Sequence, residues 1–466
     1  MRKLRIGIVG CGRVAHVHLW GYRALAQLGF DRFQIVALCD QVEDRAKRLS
    51  ASVVGARGGP QDDPTLDPRK RSYGGGAIGT ADLLGAASRP YRHTDWRELV
   101  AREDIDAVEI YAPPSQHHVI ALEAIAHGKH VFIEKPMAVT VRACKEIVKA
   151  AREAGVRVCV GHNYRFEPAT RAVQWIIETG RLGDLRMFNW HTLRGPGHWS
   201  TPLQSRWKRL AGRVRDQVLW RRPGAINAPA GPAWRYMIEE TGAGIVVENG
   251  THIFDTAIHV CGGIDRVTGL VSQFERDELR VEEGQRMQSE VPDTFFGMLR
   301  FESGAVGQVG LSTAAHGEPL GPREGFIVHG STGSASTTSY RLGDGSEGDP
   351  WDLFQAEAPE ELVATWFPCG LTHRFGLQKL DWMQAIRQRG QPLVDEAAGL
   401  QSVAAAYAAV ESNFIGREVR VSDVVAGRED SYQAPLDVGL GLLPEVKPLR
   451  LSETETLTGL GEIAAN

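Results

Sequence analysis

A glycine-rich turn close to the start of the chain, in the segment KLRIGIVGCGRVAHVH, constrains the fold more than any other feature. The apolar residues before the turn predict a strand that is buried on both faces of a parallel sheet. Gly10 permits the tight turn, and Gly12 lets the backbone come close to a pyrophosphate. Ala15 suits the position where a helix packs on the strand, and the first amides of that helix are free to bind phosphate. This order of strand, turn and helix predicts a dinucleotide-binding site.

An acidic residue at the end of the next apolar run strengthens this interpretation. The run FQIVALCD ends at Asp40, where the carboxylate in such folds accepts hydrogen bonds from the adenosine ribose. A 2′-phosphate on that ribose would bring a second negative charge beside Asp40. The sequence therefore predicts NAD as the cofactor, with NADP disfavoured.

Composition and charge exclude several classes of protein. The 466 residues, 42% of them hydrophobic, are enough to build two domains with their own cores. A net charge of -4 leaves no general positive field for nucleic acid, and no apolar run reaches the roughly 20 residues that span a bilayer. No charged and apolar leader precedes the first strand, which predicts a cytoplasmic protein. The six cysteines lack CxxC spacing, so we expect neither a disulfide nor a zinc site.

The pattern of strands and helices changes along the chain and predicts an α/β protein with two domains. Strands and helices alternate over residues 1–160, which predicts a Rossmann domain with a parallel sheet that binds NAD(P). A glycine-rich stretch at about 55–85 interrupts this pattern and predicts a solvated loop, with a flap near the cofactor as the alternative. Residues 161–466 contain strand-like segments separated by Gly or Asp turns, followed by two late helices. They predict an α+β domain with a mostly antiparallel, open sheet that supplies one wall of the site.

A basic stretch at about 195–238 stands out within the second domain. Apolar residues recur there at helical spacing among several arginines, which predicts an amphipathic helix. A solvated basic face is the favoured interpretation, and a lid that recognises an anion is the alternative.

A lysine follows the fifth predicted strand, in the segment HVFIEKP. Ligands of open parallel sheets bind beyond the carboxyl ends of the strands, so Lys135 would point toward the cofactor. Its ammonium group could stabilise developing alkoxide charge. The bond between Lys135 and Pro136 could be cis. From the residues alone, a surface lysine at a strand end is the more ordinary explanation.

A third group of polar residues occurs at offsets of four, three and four, which places them on one face of a helix: Glu248, His252, Asp255 and His259. The ordinary pKa of histidine, about 6.5, makes His252 the natural general base, and a structural histidine is the alternative. Gly242 and Gly244 would let the start of this helix approach a ligand closely. Ligands on one straight helix cannot surround an ion, so we expect no metal site.

Together these motifs resemble the Gfo/Idh/MocA oxidoreductases, the family of glucose-fructose oxidoreductase and inositol dehydrogenase. The resemblance rests on GCGRVAHVH, Asp40, APPSQHH, EKP, GHNYRFEP, GAGIVVENGTHIFD and GSTGS. It implies that Lys135 and His252 flank the reacting carbon. Glu248 departs from the family, which usually has aspartate at this position. The resemblance also implies a homodimer or homotetramer that forms through the open face of the second sheet.

The function implied by the resemblance is an NAD-dependent dehydrogenase that acts on a secondary hydroxyl of a sugar, sugar acid, cyclitol or glycoside. In the oxidative direction His252 accepts the hydroxyl proton and Lys135 stabilises the alkoxide-like oxygen. Candidates for binding or orienting the substrate are Glu248, Asp255, Tyr164 and Arg165. Candidates for contact with the cofactor are Gly10, Gly12, Arg13, Val14, Asp40, Ala112, Pro113, His117, Glu134 and Lys135.

Two other functions remain open at this point. A redox-neutral enzyme that cleaves glycosides with a retained NAD would need one further base, and Tyr164, His191 and His198 are candidates. A non-catalytic NAD-binding sensor is the second alternative, and loss of Lys135 or His252 would favour it. Both residues are present.

Overall fold

A computed structural model describes residues 2–53, 90–193, 232–275, 279–281, 286–315 and 325–444. The predicted insertion at 55–85 and most of the basic stretch at 195–238 lie outside these residues. Within them, the chain forms a six-stranded sheet and a nine-stranded sheet, with helices packed on both.

The first sheet is parallel throughout and has the strand order β3-β2-β1-β4-β5-β6. Its strands are β1 (Leu4–Val9), β2 (Phe33–Cys39), β3 (Tyr91–His93), β4 (Ala107–Ile110), β5 (His130–Ile133) and β6 (Val158–Val160). The helices that connect them are α1 (Arg13–Gln27), α2 (Glu43–Val53), α3 (Trp96–Val100), α4 (Pro114–Ala126) and α5 (Val141–Ala154). The central strands are apolar because helices cover both faces of the sheet. The prediction of a parallel Rossmann sheet is confirmed.

The second sheet is mostly antiparallel, as predicted, and has the order β16-β15-β14-β13-β7-β12-β11-β8-β17. Its strands are β7 (Leu185–Leu193), β8 (Ile264–Ser272), β11 (Thr294–Phe301), β12 (Val306–Ser312), β13 (Ile327–Gly330), β14 (Gly333–Ser336), β15 (Tyr340–Leu342), β16 (Glu347–Gly348) and β17 (Val419–Arg420). Two further strands, β9 (Leu279–Arg280) and β10 (Arg286–Met287), pair only with each other among the described residues. Strands β7 and β12 form a parallel pair in the middle of the nine-stranded sheet.

Ten α-helices accompany the second sheet in the described residues: α6 (Pro168–Glu178), α7 (Ile238–Thr241), α8 (Ile245–Glu248), α9 (Gly250–Cys261), α10 (Pro350–Glu357), α11 (Glu360–Trp366), α12 (Arg374–Gln388), α13 (Glu396–Ile415), α14 (Val421–Ala426) and α15 (Ala434–Gly439). Helices α12 and α13 are the two predicted late helices. Helix α13 lies so close to β8 that a side chain at Gly269 would collide with the backbone of Ala409. This contact places α13 on the inner face of the second sheet.

Helix α12 packs on the first sheet although it comes late in the chain. A Cβ at Gly21 in α1 would lie 2.7 Å from the backbone of Phe375, so the two helices are in close contact. Farther along α12, the Lys379 Nζ lies 2.6 Å from Glu109 Oε1 on β4, and both side chains are fully buried. The segment after residue 161 therefore contributes to both cores, and the predicted domain boundary at residue 160 remains a prediction.

Two further predictions concern bilayers and cysteines. In the part of the chain that the structure describes, every helix is too short or too polar to cross a bilayer. All six cysteines are free thiols, and only Cys369 is exposed.

Candidate active site

The glycine-rich turn has the geometry that a bound pyrophosphate needs. Gly10 has a φ of 91°, and a Cβ on it would lie 2.5 Å from the carbonyl carbon of Tyr111. Only glycine fits at this position. Gly12 caps α1, and no heavy atom lies within 4 Å of the place where its Cβ would be. No side chain caps α1 and no acidic residue lies in its first turn, so the start of this helix suits an anionic phosphate.

Asp40 is held in place by the turn that it faces. Its carboxylate accepts hydrogen bonds from the backbone amides of Cys11, at 2.8 Å, and Val42, at 2.9 Å. Each oxygen keeps lone pairs for ribose hydroxyls. Arg45 Nη1 lies 4.0 Å from Asp40 Oδ1. An arginine at this position could contact a 2′-phosphate on the ribose. The turn, the uncapped helix and this carboxylate together fit a dinucleotide.

Lys135 lies at the carboxyl edge of the first sheet, directly after β5. The peptide bond between Lys135 and Pro136 is cis. The lysine Nζ donates a hydrogen bond to the backbone carbonyl of Glu248 at 2.7 Å, which joins the two predicted motifs. Burial lowers the pKa of the ammonium group, while the negative charges of Glu248 and Glu134 oppose this change.

Glu134 is fixed by a histidine of α1. His18 Nε2 donates to Glu134 Oε2 at 3.0 Å, and the His18 ring packs on Tyr111 with 4.6 Å between ring centroids. Burial raises the pKa of Glu134, but His18 and the charge of Lys135 outweigh burial and the net pKa is lowered. Gly161 leaves the necessary room, since a Cβ there would lie 2.6 Å from Glu134 Oε2.

His117 supports the wall of the cofactor site from behind. Its two ring nitrogens lie 2.8 Å from the carbonyl oxygen of Pro136 and 2.9 Å from that of Ala112. The ring is almost fully buried. Burial lowers the pKa of His117, so the neutral ring carries one N–H and donates to one of these carbonyls. The position of the ring between them gives this predicted cofactor contact a geometry suited to holding the two loops together.

His252 lies on α9, in the middle of an aromatic and basic cluster. Its ring centroid is 4.7 Å from that of Tyr164 and 5.4 Å from that of His162. Burial, followed by the positive charge of Lys135, lowers the pKa of His252 well below its ordinary value. The imidazole is therefore neutral at neutral pH and can accept a proton.

The prediction that Glu248 shares one helix with His252 is wrong. Glu248 ends the single turn of α8, and the chain passes through Asn249 before α9 begins at Gly250. This break lets the Glu248 carbonyl face Lys135 and accept its hydrogen bond.

The interpretation of the two preceding glycines also needs correction. A side chain at Gly242 would collide with the hydroxyl of Tyr407, and a Cβ at Gly244 would lie 2.7 Å from Val291. Both glycines also have positive φ values. Packing within the protein and backbone conformation require glycine here, and close approach of a ligand does not.

Two ion pairs surround His252 and involve the predicted substrate-binding residues. Arg165 donates to both carboxylate oxygens of Asp255, at 2.9 and 2.7 Å, and both side chains are buried. Arg235 pairs with the Glu248 carboxylate. The side chains of Arg165 and Glu248 are both 9% exposed and that of Asp255 is fully buried, whereas Arg235 is 30% exposed. Asp255 is therefore shielded from a substrate, and exposure does not separate Glu248 from Arg165.

Sequence reasoning missed three residues near the site. His18 and His162 occur within quoted motifs, but each needs a partner that is distant in sequence, Glu134 or His252. Arg235 lies near the end of the basic stretch and pairs with Glu248 thirteen residues later, a separation that no helical or strand period signals. Among the described residues, no group of three His, Cys, Asp or Glu side chains could hold a metal ion.

Two of the three candidate bases for glycoside cleavage are not in the described site. His191 lies on the opposite face of β7, where it contacts Gln308 at 3.0 Å, while the neighbouring Trp190 faces Tyr164. His198 lies outside the described residues. Tyr164 remains, packed against His252.

Comparison with curated proteins finds relatives that act on sugars or cyclitols. Levoglucosan dehydrogenase of Pseudarthrobacter phenanthrenivorans is 28% identical over 52% of this chain and 57% of its own length. The 1,5-anhydro-D-fructose reductase of Ensifer adhaerens is 27% identical over 70% of this chain and 83% of its own. An inositol 2-dehydrogenase of Burkholderia cenocepacia is 30% identical over 39% of this chain and 43% of its own. The chain thus spans little more than half of the first relative and less than half of the third.

Solved structures share the whole architecture at low sequence identity. A complex of levoglucosan dehydrogenase with NADH and levoglucosan has a TM-score of 0.66 at 21% identity, over 90% of this chain and 100% of the other. An oxidoreductase domain protein from Kribbella flavida has a TM-score of 0.67 at 22% identity, over the same shares of the two chains. These similarities support the fold.

Two family models match most of the chain. Residues 4–162 match the oxidoreductase family with an NAD-binding Rossmann fold, and residues 170–336 match the GFO/IDH/MocA C-terminal domain. The first match and the geometry of the glycine turn agree on NAD as the cofactor. The chain belongs to the Gfo/Idh/MocA oxidoreductase family.

Proposed function

We propose that this protein is an NAD-dependent dehydrogenase that oxidises a secondary hydroxyl of a sugar, sugar acid, cyclitol or glycoside, or reduces the corresponding ketone. The observation that carries the proposal is the meeting of a lysine and a neutral histidine beside the glycine-rich turn. Lys135 reaches the Glu248 carbonyl two residues before α9, and His252 lies in the first turn of that helix. Lys135 follows a strand of the first sheet and His252 belongs to a helix beside the second sheet, and the positive charge of Lys135 adds to burial in lowering the pKa of His252.

The chemistry divides between the cofactor and these two side chains. Bound NAD supplies a hydride acceptor at this edge of the sheet. His252 is neutral because burial and nearby positive charges lower its pKa, so it accepts the proton of the substrate hydroxyl. Lys135 donates a hydrogen bond to the same oxygen and stabilises the negative charge that develops there. In the reductive direction His252 returns the proton.

The surroundings of His252 suit a polyhydroxylated ring. Tyr164 is half-buried and packs on both His252 and Trp190, so it offers an apolar ring edge to the C–H groups of a sugar. Glu248 and Arg235 supply charged hydrogen-bonding groups on the other side. The relatives are named for levoglucosan, 1,5-anhydro-D-fructose and inositol, and this supports the same substrate class.

A panel of sugars, sugar acids, cyclitols and glycosides, incubated with the purified protein and NAD, tests this proposal. We expect NADH absorbance in proportion to the ketone formed. Glycoside cleavage without net NADH, with solvent deuterium entering the carbon next to the oxidised one, would establish the redox-neutral reaction instead. NAD binding without turnover of any substrate would favour a sensor.

We also propose that the protein is a homodimer or homotetramer formed through the open face of the second sheet. Five large apolar side chains are exposed on this face: Met187, Leu270, Phe296, Met298 and Val306. The strand register places them in one patch, because Phe296 lies opposite Leu270 and Val306 lies opposite Met187. A patch of this kind suits burial against a second copy.

A further inference from the structure

Three polar side chains form a line that ends at His252. Ser402 comes from α13, His162 follows β6, and His252 belongs to α9. The His162 Nε2 lies 2.9 Å from Ser402 Oγ, and its Nδ1 lies 3.5 Å from His252 Nδ1. Ser402 and His162 are fully buried, while His252 is partly exposed toward the site.

The hydrogen atoms in this line follow from its buried end. Ser402 Oγ lies 2.9 Å from the backbone carbonyl of Gly399, which can only accept. The single hydroxyl proton of Ser402 is donated to that carbonyl. Ser402 therefore accepts a hydrogen bond from His162 Nε2, so the proton of neutral His162 lies on Nε2.

The same reasoning continues to His252. With its proton on Nε2, neutral His162 has a lone pair on Nδ1, which needs a donor. The facing group is His252 Nδ1, so the proton of neutral His252 lies there. The His252 Nε2 is then left with the lone pair.

We propose that Ser402 and His162 are positioning residues that hold His252 in the tautomer with a protonated Nδ1, so that Nε2 is the atom that accepts the substrate proton. This inference rests on the proposed function of His252 as the base. The opposite tautomer would present an N–H to the substrate hydroxyl and could not accept its proton. After proton transfer, His252 Nδ1 still donates to His162, so the line remains intact.

The charged groups around the two histidines are compatible with this arrangement. His162 is influenced by Asp255, Arg165, Lys135 and Glu134, and burial is the largest effect and lowers its pKa. Burial, followed by the charge of Lys135, lowers the pKa of His252, and the Tyr164 ring packs on the imidazole. Both rings are therefore neutral at neutral pH, which is the condition for a single defined tautomer of each.

The most direct test is the ¹⁵N spectrum of the full-length protein labelled at histidine, with the His252 signals identified by their loss in His252→Gln. We expect His252 to show a protonated Nδ1 and an unprotonated Nε2. The opposite assignment overturns the inference, and no variant of Ser402 or His162 is needed for this result.

A matched pair of variants on α13 adds a kinetic readout. Ser402→Ala removes the acceptor for His162, and we expect mixed tautomers at His252 and a fall in kcat of about 10- to 100-fold with unchanged NADH affinity. Ser412→Ala removes another buried hydroxyl of the same helix, which accepts from the amide of Gly269 at 3.0 Å. This control should keep both kcat and the His252 tautomer.

The outcomes separate this inference from the proposed function. Equal effects of Ser402→Ala and Ser412→Ala on kcat would show that Ser402 is merely structural. Normal turnover of His252→Ala would remove the base itself from the reaction, whichever nitrogen carries its proton.

Discussion

The buried pair of Lys379 and Glu109 gives a prediction that links the late helix α12 to the core of the first sheet. The Lys379 ammonium lies 2.6 Å from Glu109 Oε1, and both side chains are fully buried. Tyr22 and Tyr111 donate their hydroxyl groups to the same carboxylate. Lys379 Nζ also lies 3.2 Å from the centroid of the Phe132 ring on β5, the strand that leads to Glu134 and Lys135.

The substitution Lys379→Met keeps most of the side-chain volume and leaves the carboxylate buried without its cation. Breaking a buried pair in this way costs about 3–5 kcal/mol. Because the hydroxyls of Tyr22 and Tyr111 still donate to Glu109, we expect a value near the lower end, about 3 kcal/mol. The double variant with Glu109→Gln removes both charges and should recover about 2 kcal/mol of that loss.

Urea denaturation of the wild type, Lys379→Met and the double variant measures these differences in unfolding free energy. Lys47→Met is a suitable control, since the ion pairs of Lys47 in the described part of the chain are surface pairs with residues of its own helix, and its substitution should leave stability unchanged. A Lys379→Met protein as stable as the wild type would refute the reasoning. A double variant that is no more stable than Lys379→Met would also contradict it.

Three shorter predictions concern the cofactor, the pH dependence and the oligomer. Asp40→Ser should narrow the preference for NAD over NADP, measured as the ratio of the two dissociation constants. Tighter binding of NADP than of NAD by the wild type would contradict the role of Asp40. Oxidation should persist as pH falls below 6.5, because the lowered pKa keeps folded His252 neutral there; a loss of kcat/KM centred near 6.5 would oppose this. The lowered pKa of His252 also makes the folded protein less stable as the pH falls from 6.5 toward the pKa of His252 in the folded state, because the unfolded chain binds the proton more readily. Leu270→Arg combined with Met298→Arg should convert the oligomer to monomers in analytical ultracentrifugation, and an unchanged mass would argue against the open face.

The sequence predicted the first sheet well because each of its elements carries a local signal. The glycine turn, the apolar strands and the acid at Asp40 all act within a few residues of one another, and the structure places them together. Residue patterns also identified the second sheet as mostly antiparallel.

The candidate site was less predictable, because its geometry depends on contacts between distant segments. The break at Asn249 separates Glu248 from α9. It leaves the Glu248 carbonyl to accept a hydrogen bond from Lys135, a residue more than a hundred positions earlier in the chain. The role of Gly242 depends on Tyr407, which lies far along the chain. Spacing within one segment could not reveal either contact.

We propose that Lys135 and His252 act in the chemical step and that neither is needed to bind the cofactor. Turnover of Lys135→Met and His252→Ala, measured beside NADH titration of the same preparations, tests it most directly. His259→Ala serves as the control because His259 lies on the same helix, about two turns beyond His252.

We expect Lys135→Met and His252→Ala each to lose about 100-fold or more in kcat, while the affinity of each variant for NADH stays close to that of the wild type. The His259→Ala control should keep its turnover. Near-normal turnover in either active-site variant, with NADH still bound, would contradict the role given to that residue.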